Sequence, residues 1–249
     1  MRGFLANRGS KIIANLQIPI RTAATVVILR DGEQGLETLL LRRNSKLAFA
    51  AGAWVFPGGA VDQSDSDNRA DKLQAAKYAA IREANEECGL RLVSEDLVHF
   101  CNWTTPEGEN RRFATWFFVS RLRQPTAAVT IDGSEIHDYQ WLTPQGALEA
   151  HRGGQLNLMP PTYMSLRLIR HYPTAQQACD RLLQRRPYEV TPRLCQHQGS
   201  WICLYPGDAG YQENDWAIEG PRHRTIIDRG QLRYEHSGDN CPIPAMDAP

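Results

Sequence analysis

Apolar residues recur along this chain first with the period of strands and then with the period of helices. The segment "TAATVVILRDG" (22–32) is rich in β-branched residues and closes on Asp31-Gly32, and "LETLLLRRN" (36–44) resumes at once. Such a pair reads as two strands joined by a turn. "AWVFPGGAVD" (53–62) predicts a third short strand, broken at Pro57-Gly58-Gly59, and the polar stretch "QSDSDNRAD" (63–71) follows it. With no large apolar side chain to bury, that stretch reads as a mobile loop. A helix is predicted from Lys72 to Cys88, ended by Gly89 in the left-handed position with Leu90 as the accompanying apolar contact. "LVHFCNWTTP" and "RRFATWFFVSRL" predict a strand pair, and "HDYQWLTP" predicts another strand that leads into a helix opened by Pro144.

Beyond about residue 155 the pattern changes. "PTYMSLRLIRHY", begun by Pro161-Thr162, and "TAQQACDRLLQRR" read as helices. The short pieces "YEVTPRLC", "SWICLY", "HRTIID" and "QLRYE" then read as strands between Gly and Pro turns. The expected organisation is an arm over 1–19, a main α/β domain over 20–155, and a helical and short-strand extension over 156–249 packed on it, with the tail "NCPIPAMDAP" disordered.

Composition narrows the function. The 249 residues are 42% hydrophobic and 22% charged with a formal net charge of zero. A general nucleic-acid binder would carry a global positive field, so no nucleic-acid partner is expected. The six cysteines are scattered without a CxxC pair, which points to a reducing compartment rather than a disulfide framework. "CQHQGSWIC", with Cys195, His197 and Cys203, lacks a fourth zinc ligand at sensible spacing and reads as thiols buried in a small β unit. There is no apolar run of signal-peptide length at the start and no stretch of the roughly 18 apolar residues a membrane span needs. A cytoplasmic protein without a membrane partner is the expectation. Segment 151–193 carries seven arginines against Asp180 and Glu189. That face is either turned to an anionic substrate or is a solvated or homodimer-forming surface.

The chemistry concentrates in "REANEECGL" (82–90). Ala76, Ala80, Ala84 and Cys88 form a small apolar stripe at helical spacing, which lets the helix lie close to a sheet. Glu83, Glu86 and Glu87 then project to one neighbourhood, with Arg82 four residues before Glu86. Converging carboxylate oxygens suit Mg²⁺ or Mn²⁺; taken alone, the same string also describes a solvated acidic helix face.

Gly58-Gly59 followed by "REANEECGL" resembles the Nudix box, G-x5-E-x7-R-E-U-x-E-E-x-G-U. Gly59 matches the first glycine, and Arg82, Glu83, Ala84, Glu86, Glu87, Gly89 and Leu90 match the second half in order. Here Gly59 and Arg82 are 23 apart rather than 14, and the first glutamate of the pattern falls on Gln74. In "SEIHDYQWLTP", Glu135 with Trp141 six residues on resembles the late glutamate that often completes the Nudix metal site. "LLLRRNSKLAFAAGAWVFPGG" resembles the signature upstream of the box in coenzyme A diphosphatases, with Ala48 in place of an arginine. "NWTTP…RRFATWFF" and "MPPTYMSL" resemble the peroxisomal-type branch of those enzymes and its bacterial relatives.

The resemblance implies a Nudix α/β/α sandwich with a mixed sheet, and metal-assisted hydrolysis of a small-molecule diphosphate. It implies a site in which Glu83, Glu86 and Arg82 are catalytic, and Glu83, Glu86, Glu87, Glu135 and the Gly59 carbonyl hold Mg²⁺ or Mn²⁺. Arg43, Arg111, Arg112, Phe49 and Trp54 are expected to bind substrate, with Arg42 and Trp116 as further candidates. Coenzyme A or an acyl derivative is the expected substrate. Alternatives are a dinucleotide, ADP-ribose, a nucleotide sugar or capped RNA, or a catalytically silent Nudix domain acting as a sensor or interaction module.

Overall fold

The computed structural model describes residues 18–46, 50–66, 71–238 and 245–248. Phe49, Ala48 and nearly all of the N-terminal arm lie outside the described residues.

Strand β1 (Ile20–Gly32) is the organising element. Its residues are buried on both faces: Ala24, Val26 and Ile28 face one way, and Val27 and Leu29 the other. A strand hydrophobic on both faces needs a layer on each side, and both are present. Among the described residues β1 sits within an eight-stranded sheet of order β3-β2-β1-β6-β5-β8, with β4 paired to β1 and β7 to β2. These strands are β2 (Gly35–Arg43), β3 (Trp54–Val55), β4 (Gly58–Ala60), β5 (Val98–Thr104), β6 (Arg112–Arg121), β7 (Ile136–Leu142) and β8 (Tyr188–Val190). The β1–β2 and β5–β6 pairs are antiparallel and β1–β6 is parallel, so the sheet is mixed.

Between β4 and β5 lie the one-turn helix α1 (Gln63–Ser66) and the long helix α2 (Lys72–Cys88), followed by a 3-10 turn over Ser94–Asp96. The expected stripe is what packs α2 on the sheet, because Ala76, Ala80, Ala84 and Cys88 are fully buried against Ala24, Val26, Ile28 and Phe118. Asp71 caps its start by accepting from the Leu73 N–H, and Gly89 ends it at φ 71°, a left-handed conformation that glycine adopts without steric cost. The other face of the sheet is covered by α3 (Pro144–Arg152), α4 (Pro160–Ile169) and α5 (Ala175–Leu183). The α4 helix begins one residue earlier than expected, at Pro160.

A second, antiparallel sheet of order β12-β11-β10-β9 follows: β9 (Arg193–His197), β10 (Ser200–Leu204), β11 (His223–Asp228) and β12 (Gln231–His236). "CQHQGSWIC" is the β9–β10 hairpin, turned by Gln198 and Gly199 at φ 47° and 84°. Cys203 is buried there and the His197 ring stacks on Trp216 at 3.6 Å. The sheet is tied to its own loops by a buried pair: Arg224 donates from Nε and Nη2 to Asp208 at 2.7 and 2.6 Å. Cys203, Tyr205 and Ile227 join the same core as α4 and α5.

Two expectations are corrected. The insert is not wholly a loop, since 63–66 are helical and Asp65 is buried. The expected disorder of the tail does not extend to 245–248: Met246 is buried and Asp247 pairs with Arg167 and Arg170. Arg167 donates from Nε to Asp247 at 2.8 Å, so part of the arginine excess of this segment is spent on the chain's own C-terminus.

His223 carries a pH prediction. It is fully buried, Nδ1–H donates to the Pro206 carbonyl at 2.6 Å, and Nε2 has no partner among the described residues. Burial above all pushes its pKa down to about 4. An unfolded chain takes up this proton near pH 6.5 and the native protein resists until about 4. Stability is therefore retained above pH 6.5 and lost as pH falls through that window, by roughly 3 kcal/mol. Melting curves between pH 4 and 8 should show a shallower acid slope for His223→Gln than for the wild type. Equal slopes would remove His223 from the acid transition.

Candidate active site

The turn from β3 into β4 brings Gly58 and Gly59 directly against α2. A Cβ on Gly59 would lie 2.3 Å from Glu83 Oε1, and one on Gly58 would lie 2.4 Å from the Ala24 carbonyl oxygen. Glycine is required at Gly58, where backbone occupies the space of a side chain, while at Gly59 a side chain would displace the Glu83 carboxylate from the turn. The Gly58 N–H donates to Glu87 Oε2 at 3.0 Å, fixing that carboxylate under the turn.

The three box glutamates therefore have unequal surroundings. Glu87 is buried, Glu83 half-buried, and the Glu86 side chain is 55% exposed. The expected open acidic face thus holds for Glu86 alone, since the turn covers Glu87. Burial is the main cause that pushes the Glu87 carboxyl up to about 8, with the Gly58 N–H opposing and the Glu83 charge adding to it. Glu83 is raised in the same direction by burial, offset by Arg82.

Arg82 is the hub. From Nη1 it donates to Glu83 at 2.9 Å and Glu86 at 3.1 Å, and from Nη2 to the Ala60 carbonyl at 3.0 Å. Its remaining face is held by Asp65, which accepts from Nη2 at 3.0 Å and Nε at 3.3 Å. This contact is the largest cause of the raised Arg82 pKa. No sequence pattern marks Asp65: the insert expected to be a mobile loop supplies the carboxylate that grips the box arginine.

On the opposite wall, Arg43 Nη2 donates to Glu135 at 3.3 Å and Nη1 lies 3.9 Å from Glu87. Among the described residues its buried Nε has no partner. Asp132 holds the Glu135 loop by accepting from the N–H groups of Ser134, Glu135 and Ile136. Trp141, six residues beyond Glu135, lies under the Arg30 guanidinium at 4.1 Å. Glu83, Glu135, Gly59, Arg43 and Arg111 meet around one cavity of about 330 Å³. Arg21, Phe113 and Met159 also line it. No sequence signal marks Arg21, which reaches the site because β1 and β6 pair in parallel with Arg21 opposite Phe113.

Other expected contacts lie elsewhere. Arg112 is held at the start of β6, donating from Nε to the Thr105 carbonyl at 3.2 Å. Trp54 is buried in the core beneath β3, and Trp116 packs on the His99 ring at 4.7 Å. Arg42 is exposed on β2.

The donor set tests whether a divalent cation fits. It is composed of carboxylate oxygens, which suit hard cations; the Glu83 charge pushes the Glu87 pKa up, and the Glu86 and Glu135 charges push that of Glu83 up, so a positive ion among them relieves repulsion. Among the described residues no three acidic, thiol or imidazole groups already enclose an ion; Arg82 and Arg43 stand among the carboxylates instead. The residues present fit a cation that takes few protein ligands and completes its shell with substrate oxygens.

Comparison with known proteins agrees with this geometry. The family profile described as NUDIX domain matches residues 19–160. The acyl-coenzyme A diphosphatase NUDT19 of Xenopus laevis is 24% identical over 275 residues, covering 72% of each chain. The human protein of the same name is 23% identical over 282 residues, covering 75% of each. Among solved structures, a NUDIX hydrolase from Alicyclobacillus acidocaldarius superposes with a TM-score of 0.60 at 25% identity, covering 66% of this chain and 97% of its own. Nudix hydrolases generally use divalent metal ions. With the profile match spanning the sheet, the glycine turn and the glutamate helix, the chain belongs to the Nudix family and is a Nudix hydrolase.

Proposed function

We propose that the protein is a Mg²⁺- or Mn²⁺-dependent pyrophosphohydrolase that cleaves the diphosphate of coenzyme A or an acyl-coenzyme A. The observation that carries the reading is the cavity itself. It gathers the carboxylates Glu83 and Glu135 and the guanidinium groups of Arg43, Arg111 and Arg21 around one space, with Arg43 bonded to Glu135 at 3.3 Å. A diphosphate needs both kinds of group, because guanidinium groups bind phosphate oxygens and carboxylates would hold a divalent cation.

In this proposal Glu83, Glu86 and Glu87 hold the cation, with Glu135 and the Gly59 carbonyl as further oxygens. The cation supplies charge neutralisation at the diphosphate and acidifies water. Arg82 keeps Glu83 and Glu86 oriented through its paired hydrogen bonds. Glu83, at the cavity wall with a raised pKa, suits the acceptance of a proton from the attacking water. Arg43 and Arg111 orient the phosphates. The similarity to acyl-coenzyme A diphosphatases favours coenzyme A as the carrier of that diphosphate.

Incubation with coenzyme A, ADP-ribose and a dinucleotide under Mg²⁺ or Mn²⁺, with products identified by mass, tests the reading. The expected products from coenzyme A are 3′,5′-ADP and 4′-phosphopantetheine. Much higher kcat/KM for ADP-ribose or the dinucleotide would overturn the substrate assignment and leave only the Nudix chemistry.

A further inference from the structure

A second cavity, of about 170 Å³, opens beside the first. Thr25, Val55, Phe56, Phe113, Thr115 and Met159 border both, so the two lie side by side along one shared wall. Their characters differ. Arginines and glutamates face the larger, whereas among the described residues no charged one lines the smaller, whose walls include Trp103, Phe117, Pro160 and Pro161. Its far side is built by Pro192, Leu194 and Cys203, which lie beyond the residues 19–160 matched by the NUDIX domain. Leu194 and Cys203 are partners across the β9–β10 pair, so both side chains belong to one rigid hairpin.

We propose that this annex receives the aliphatic arm of the substrate whose diphosphate sits in the neighbouring cavity, and that the C-terminal sheet thereby takes part in substrate selection. The proposal rests on the diphosphate-hydrolase reading above. Three features support it: the annex shares a wall with the charged cavity, it is apolar, and its size matches a short chain. A cavity of roughly 150 Å³ lined by aliphatic and aromatic side chains accommodates a six-carbon ring, so about six carbons fit here. An arm tethered through the diphosphate enters at little further entropic cost. Each methylene buried on the way strengthens binding by roughly threefold to fourfold. Two portions of one molecule carry this chemistry, the pantetheine arm and an acyl group at its end.

The experiment compares kcat/KM for ADP-ribose, coenzyme A and hexanoyl-coenzyme A in the wild type and in Leu194→Trp, which fills the annex, with folding checked by circular dichroism. In the wild type at least one arm-bearing compound should exceed ADP-ribose by about tenfold or more. In Leu194→Trp that advantage should fall to within about twofold. A loss confined to the hexanoyl-to-coenzyme A ratio places the acyl group in the annex, and a loss in the coenzyme A-to-ADP-ribose ratio places the pantetheine arm there. Should Leu194→Trp not fold, Leu194→Ala, which enlarges the annex, should move the preferred arm to a longer acyl chain, and an unmoved preference would overturn the proposal. Unchanged ratios in folded Leu194→Trp would overturn it too while the hydrolase reading stands. Failure of the wild type to cleave any of the three compounds overturns the coenzyme A substrate assignment, and the annex proposal falls with it.

Discussion

Glu86→Gln and Glu87→Gln should each lower kcat by about 10²–10⁴-fold at saturating Mg²⁺, because each removes a charged oxygen from the group that holds the cation at the diphosphate. The two variants differ in what they do to the protein without metal. Glu86 is exposed and bonded to Arg82, so its replacement by the isosteric amide costs little stability. Glu87 is buried beside Glu83, and its carboxyl is pushed up to about 8 because burial penalises the charge. Glutamine there keeps an oxygen for the Gly58 N–H and removes the repulsion. The metal-free Glu87→Gln protein should therefore melt at or above the wild-type temperature. Added Mg²⁺ or Mn²⁺ should raise Tm in the wild type by mass action, and this rise should shrink in both variants. Near-normal turnover of either variant under saturating Mg²⁺ would remove that residue from the site.

Much of this site could be read from spacing alone, for a physical reason. The stripe Ala76, Ala80, Ala84, Cys88 and the left-handed Gly89 are properties of one helix, and a helix places its residues by local geometry. The same geometry brought Glu83, Glu86 and Glu87 together. It could not say which of them would be buried, because that depends on the Gly58–Gly59 turn arriving from another strand. Arg21 entered the cavity through a parallel pairing with β6, about ninety residues away, which leaves no local mark. Trp54 and Trp116 show the converse error. Large aromatics near a site suggest a binding wall, but the pleat turns Trp54 into the core and stacks Trp116 on His99, whereas Phe56, Trp103 and Phe113 line the cavities. The second sheet was legible as strands, but nothing in those strands announced that Leu194 and Cys203 would close a space beside the catalytic cavity.

The insert between the glycines and the helix is where length misled most, and Asp65→Asn tests what it does. The box pattern offers Gln74 where a glutamate is usual, while the structure puts Asp65, seventeen residues before Arg82, on the guanidinium by two hydrogen bonds. Asparagine preserves size and one acceptor oxygen but removes the charge. Among the described residues Arg82 then keeps Glu83 and Glu86 as its charged partners at hydrogen-bond distance, and it should bind them more tightly. Those carboxylates are the ones the cation must win. The expected result is a half-saturating Mg²⁺ concentration raised by about tenfold and a kcat lowered by about 10²-fold, with KM for the diphosphate substrate changed by less than about threefold. Loss of one charge-assisted bond should also cost about 1–3 kcal/mol of stability. That loss alone does not discriminate, because any broken buried contact produces it. The Mg²⁺ titration does: a folded Asp65→Asn protein with wild-type metal dependence would reduce Asp65 to a fold contact, and a shifted one makes the insert part of how the arginine and the cation share the same glutamates.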